Sequence, residues 1–164
     1  MQREKQVHLI EVHVAAMCFN QARGNTRLLI GQRADDREIF PGYWECGGGQ
    51  VHVGETFNEA VLFHMNEEFG LEVNVLFPFG TYRIDLKDKM IPGIRFICEP
   101  TSSTNITIDM EEIVEYRWID PNDASKYNMI PGLCNDIALG YHHYKRIVEH
   151  NNRIQRTHNH AEYI

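Results

Sequence analysis

Residues 47–71 read GGGQVHVGETFNEAVLFHMNEEFGL. Three consecutive glycines, Gly47 to Gly49, open a tight turn, and a short strand and a second turn at Gly54-Glu55 follow. Then the period changes. Phe57, Val61, Met65 and Phe69 recur every four residues with Leu62 beside them, so one long helix with an apolar face is predicted. Thr56 followed by Glu59 has the spacing of a capping box. Gly70 is a natural left-handed stop. On this helix His64, Glu67 and Glu68 stand at i, i+3 and i+4 and share a face. Two adjacent acids repel each other unless a cation lies between them, and a hard divalent ion bound by carboxylate oxygens is the natural solution. A solvated helix face is the alternative. The glycine turn favours the ion, because it lets backbone approach the same ion, or a phosphate, closely.

Outward from this segment the chain reads as strands before it and strands, then a helix, after it. Val7 to Phe19 is rich in β-branched and aromatic residues and reads as a long strand, with a turn over 20–25 and a returning strand from Thr26 to Gln32. A loop over 35–43 carries the turn signal Pro41-Gly42. Strands are expected over 71–82 and 91–99, joined by a charged turn at 85–88, and over 113–119. After a loop over 121–131, a second helix is expected over 135–149. Residues 1–150 form one domain on this reading, and 151–164 a polar C-terminal tail. Strands and helices in this order mean α/β or α+β, not a bundle or a β-sandwich.

Composition narrows the function classes. The chain has 164 residues, 43% hydrophobic and 24% charged, which is an ordinary globular mix for one domain. The net charge is −7, so a nucleic-acid backbone is repelled and is an unlikely main partner. A phosphorylated small molecule would need a metal cation or a few placed arginines to draw it in. No apolar run is long enough to span a membrane, and the N-terminus leads into a strand pattern rather than a signal peptide. Cys18, Cys46, Cys98 and Cys134 form no C-x-x-C pair, which suits reduced thiols in the cytoplasm.

The 47–71 segment resembles the signature of the Nudix hydrolase family, G-x5-E-x7-R-E-U-x-E-E-x-G-U with U aliphatic. Gly49, Glu55, Met65, Glu67, Glu68, Gly70 and Leu71 occupy their places without a gap. Phe63 stands where the family has Arg, and His64 where it has its first helix Glu. Arg33, the 41–45 stretch and the 112–119 stretch resemble the family's flanking segments. The resemblance implies an αβα sandwich around a mixed β-sheet. It implies hydrolysis by water of a nucleoside diphosphate linked to another group, with Mg²⁺ or Mn²⁺ as cofactor. A Nudix-fold module that binds or senses a nucleotide with little hydrolysis is the alternative, and Phe63-His64 is the feature that favours it. A homodimer is also in keeping with the family.

Carried over by position, Glu67 and Glu68 are metal ligands with catalytic roles, the Gly48 carbonyl is a further ligand, and Glu55 braces the loop or binds metal through water. Glu112 matches a carboxylate on the facing loop that completes the site. His64 in a carboxylate's place suits softer ions such as Mn²⁺ better than Mg²⁺, and an ordinary helix histidine is its plain alternative. Arg33, Arg37, Arg83 and Arg95 are candidate phosphate contacts. Phe40, Tyr43, Trp44 and Tyr82 could stack on a base or sugar, and core packing is the alternative for Trp44 and for Phe63.

Overall fold

The structure, a computed structural model, describes residues 10–161, with side chains as far as 153. Among them seven strands and two long helices follow in the order β1 His13–Ala22, β2 Asn25–Arg33, β3 Trp44–Glu45, β4 Gly47–Gln50, α1 Phe57–Phe69, β5 Val73–Asp85, β6 Met90–Pro100, β7 Ile113–Ile119 and α2 Leu133–Ala161. A 3-10 turn over Pro121–Lys126 precedes α2.

β1 organises the sheet. Its first half runs parallel to β6 and antiparallel to β4, and its second half pairs antiparallel with β2. β5 lies antiparallel to β6, and β3 and β7 antiparallel to β2. The β1–β2 hairpin turns on Arg23 and Gly24, both at positive φ (50° and 82°), the two-residue turn whose twist matches the strands it joins.

β1 reads as a nearly unbroken apolar run because both of its faces are buried. Val14, Ala16 and Cys18 join Leu29, Phe96 and Cys98 against α1, which contributes Val61, Met65 and Phe69. Met17 and Phe19 join Leu28, Ile30 and Ile97 against α2, which contributes Ile137 and Tyr144. The layers are therefore helix, mixed sheet, helix, as the resemblance implied.

Some boundaries differ from the sequence reading. The strand expected from Val7 starts at His13: residues 7–9 lie outside the described residues, and 10–12 are not strand. Pairing with β6 begins at His13–Gly93, just after Pro92, which has no N–H to carry the ladder further. α2 runs to Ala161, past the expected end at 149, through the stretch read as a polar tail. Pro131 and Gly132 mark its start, and no Gly or Pro follows Gly140 to stop it.

Candidate active site

The cap geometry of α1 fixes where its side chains point. The Thr56 hydroxyl accepts from Glu59 N at 3.2 Å, and the Glu59 carboxylate accepts from Thr56 N at 2.8 Å. Gly70 closes the helix at φ 58°, donating its N–H to Asn66 O at 2.9 Å. The stripe turned inward is Ala60, Val61, His64, Met65, Glu68 and Phe69. It is rotated from the apolar stripe of the sequence reading: Phe57 and Leu62 are 41% and 42% exposed. Two polar residues, His64 and Glu68, thus enter the interior at 7% and 4% exposure. Glu67 stays at the rim, so the trio does not present a single open face.

The glycine strand β4 receives these two side chains. The His64 imidazole occupies the space of a missing side chain at Gly49, where a Cβ would fall 2.1 Å from the ring. Its Nε2 lies 2.9 Å from the Gln50 carbonyl and its Nδ1 3.6 Å from Glu67 Oε2. Gly48 donates its N–H to Glu68 Oε2 at 3.3 Å. Gly48 sits at φ 148°, with Val14 O 2.3 Å from where a Cβ would be. That clash is with backbone of the central strand and cannot be relieved by a rotamer change. Gly48→Ala should therefore lower stability by about 3–4 kcal/mol, read as a fall in thermal midpoint of roughly 8–15 °C. An unchanged midpoint would show that β4 can shift away from β1.

Around the buried Glu68, acids and arginines interleave. Arg33 Nη1 bonds Glu45 Oε1 at 2.5 Å, and its Nε donates to Ile39 O at 3.0 Å. Arg37 Nη1 bonds Glu112 Oε1 at 2.9 Å. Burial pushes the Glu68 carboxyl well above the usual carboxylate range, and the charges of Glu45 and Glu112 push it further, against the pull of the Gly48 N–H and Arg33. Burial also raises Glu45, although Arg33 opposes it. Glu55 is bonded back to His52, accepting from its N at 2.8 Å and lying 3.1 Å from its Nδ1. That first bond holds the Glu55 carboxyl below its usual value.

Whether this set suits a divalent metal can be asked of its donors. Glu68 brings a buried carboxylate crowded by two others with a single N–H to offset it, and hard oxygens of this kind suit Mg²⁺ or Mn²⁺. The donors fit in chemistry but are not gathered: among the described residues no group of three or more His, Cys, Asp or Glu is placed to hold a metal ion. His64, with Nε2 on Gln50 and Nδ1 toward Glu67, has both ring nitrogens turned to neighbours within the protein.

The structure distributes the other candidates unevenly. Trp44 is a correction: at 7% exposure it packs edge-on to Tyr127, ring centroids 5.3 Å apart, in the core beneath α2 and is not free to stack on a ligand. Phe63 is not core but 43% exposed, edge-on to His52 and His64 at 5.6 and 5.2 Å. Tyr43 and the left-handed Phe40 (φ 51°) pair at 5.5 Å on the 34–43 loop. Arg83 is exposed on the β5–β6 hairpin with Asp85 and does not join the site. Tyr82 and Arg95 lie together on the sheet face toward α2. Sequence reasoning passed over Glu45, His13 and Asp136, which hold Arg33, Tyr82 and Arg95 respectively. His13 could have been noticed as a histidine opening the apolar run His13–Phe19. Burial, followed by the charge of His64, lowers its pKa to about 4.

Comparison with known proteins agrees with this architecture. Residues 11–133 match the family model described as NUDIX domain. A "Nucleoside triphosphatase NudI" of Escherichia coli O1:K1 / APEC is 32% identical over 111 residues, covering 62% of this chain and 78% of that protein. Its counterpart in Salmonella paratyphi B is 29% identical over 121 residues, covering 68% and 85%. Among solved structures, an Ap4A hydrolase binary complex from C. elegans superposes with a TM-score of 0.69 at 14% identity, covering 84% of this chain and 98% of that one. The NUDIX domain of Shewanella oneidensis NrtR complexed with ADP ribose superposes with a TM-score of 0.69 at 15% identity, covering 87% and 94%. With three quarters of its length matched by the family model and the box helix set against a glycine strand, the chain belongs to the Nudix family.

Proposed function

We propose that this protein hydrolyses a phosphoanhydride bond of a nucleotide with a divalent cation as cofactor. One observation carries the reading. Each arginine near the glycine strand is already paired with an acid, Arg33 with Glu45, Arg37 with Glu112 and Arg95 with Asp136, while Glu68 is buried among like charges. A polyphosphate meets net negative charge there and needs a cation to enter. Glu67 and Glu68, with the Gly48 carbonyl, would hold that cation, which neutralises the phosphates and lowers the barrier to attack by water. Glu112 is oriented by Arg37 to accept the water's proton. Glu55 ties the loop ahead of α1, and Arg33 fixes the 34–43 loop through Ile39 O and Glu45. The name of the relatives, nucleoside triphosphatase, makes nucleoside triphosphates the first substrates to try.

A binding module without turnover is the second reading, favoured by the engagement of His64 with Gln50 rather than with the acids. Release of phosphate and pyrophosphate from nucleoside triphosphates, dinucleoside polyphosphates and nucleoside diphosphate sugars, each with Mg²⁺ and with Mn²⁺, separates the two. Metal-dependent turnover is expected, higher with Mn²⁺, because His64 in the place of the family's carboxylate leaves the ion one hard anionic ligand short. Nucleotide binding without turnover in either metal would leave only the second reading.

A further inference from the structure

On the sheet face turned toward α2, one cross-strand row runs Tyr82, Gly93, His13, Gln50, and the next runs Gly80, Arg95, Ala15, Gly48. Tyr82 lies across Gly93, where a Cβ would fall 2.3 Å from its ring. Its hydroxyl reaches His13 Nδ1 at 2.6 Å, on the next strand. Arg95 is fixed from two sides: its Cζ lies 4.2 Å from the Tyr82 ring centroid, and its Nη2 bonds Asp136 in the first turn of α2 at 2.5 Å. Its Nε is buried and has no hydrogen-bond partner, an uncommon state for a buried N–H and one that calls for an explanation.

The neighbours of Arg95 along its row are Gly80, Ala15 and Gly48, and a Cβ added at Gly80 would meet nothing within 4 Å. A rigid guanidinium stacked on a tyrosine, its side chain 12% exposed, thus shares its row with small residues, and the space over one of them, Gly80, is open. Arg95 and Gly48 are both register partners of Ala15, so their backbones stand two strand spacings apart, about 10 Å. Asp136 offsets the charge of Arg95, which makes it a poor counter-ion for a second phosphate. What remains is the Nε–H, a donor in a planar fork with no acceptor of its own, suited to a neutral carbonyl oxygen.

We propose that Arg95, clamped between Tyr82 and Asp136, reads the carbonyl edge of a nucleotide's base and so determines which nucleotides the site accepts. This rests on the reading above, in which the phosphates lie at Gly48 and the base is directed along the sheet toward α2.

Uncharged nucleosides test it apart from metal and hydrolysis. Metal-free, ¹⁵N-labelled protein is titrated with inosine and adenosine, which differ in one ring carbonyl, with uridine and cytidine, and with ribose 5-phosphate, which has no base. Inosine should bind at least tenfold more tightly than adenosine, and uridine than cytidine, with the Arg95 Nε–H resonance moving on binding. Arg95→Lys keeps the charge opposite Asp136 but removes the planar fork, and should bring both ratios close to one. If that variant does not fold, Gly80→Ala serves instead: its Cβ enters the open space with no protein atom within 4 Å, and it should weaken inosine and uridine at least tenfold at an unchanged thermal midpoint. Equal binding of inosine and adenosine, no nucleoside binding, ratios that survive Arg95→Lys, or ribose 5-phosphate binding as tightly as inosine would each overturn the proposal. The substrate screen run on the same preparation keeps the two failures distinct, since turnover without nucleoside selection removes Arg95 and leaves the hydrolase reading in place.

Discussion

The Glu68→Gln protein is expected to fold normally and to lose hydrolysis by on the order of 10³-fold, about 4 kcal/mol of transition-state stabilisation. The amide oxygen can still accept the Gly48 N–H that Glu68 accepts at 3.3 Å. The burial cost of the carboxylate and its repulsion from Glu45 and Glu112 disappear with the charge, so the metal-free thermal midpoint should hold or rise by a few degrees. The ion supplies a second readout. For the wild type, Mn²⁺ at a hundred times its dissociation constant adds about 2.7 kcal/mol, or roughly 5–10 °C in midpoint for a chain of this size. In Glu68→Gln that gain should shrink toward zero. Unchanged turnover would take Glu68 out of the mechanism, and a lower metal-free midpoint would make its carboxylate a structural group.

The features legible in the sequence were those governed by local rules. The capping box at Thr56 and Glu59, the stop at Gly70, the hairpin near Arg23-Gly24 and the period-four helix follow from backbone hydrogen bonding and φ preferences within a few residues. The family followed from spacing over the same segment, and the layered architecture with it. Less legible was anything that depends on how elements turn toward one another. The inward stripe of α1 is displaced from its most apolar residues because β4 offers no side chains, so the helix can bring His64 and Glu68 against Gly49 and Gly48 and leave Phe57 and Leu62 outside. Glu45, His13 and Asp136 carry no motif. Their importance arises from cross-strand register and from the packing of α2, which unite residues more than forty positions apart: His13 with Tyr82, and Arg95 with Asp136. Trp44 shows the reverse error, an aromatic beside the box that the fold uses as core under Tyr127.

Restoring the family's pair, Phe63→Arg with His64→Glu, is expected to raise Mg²⁺-dependent turnover by about tenfold, some 1.4 kcal/mol, and to lower the ratio of Mn²⁺ to Mg²⁺ activity. Phe63→Arg alone should change stability by no more than about 0.5 kcal/mol, since Phe63 is 43% exposed and lies edge-on to the rings of His52 and His64. His64→Glu alone is different. It removes the ring on the Gln50 carbonyl and sets another acid one helical turn from Glu68 at a site only 7% exposed. Without metal that should cost about 2–3 kcal/mol, from an unpaired carbonyl and an added buried charge. The arginine in the double variant should recover part of the loss by lying beside the new carboxylate, and the cation should recover more, because hard-ion affinity rises with the number of carboxylate ligands. The double variant should therefore show a larger metal-induced rise in thermal midpoint than the wild type. If that rise appears while Mg²⁺-dependent turnover does not, the ion has been captured and the limit on catalysis lies where the rest of the nucleotide must bind. If neither appears, the space now held by His64 and Phe63 is not where this protein takes its metal.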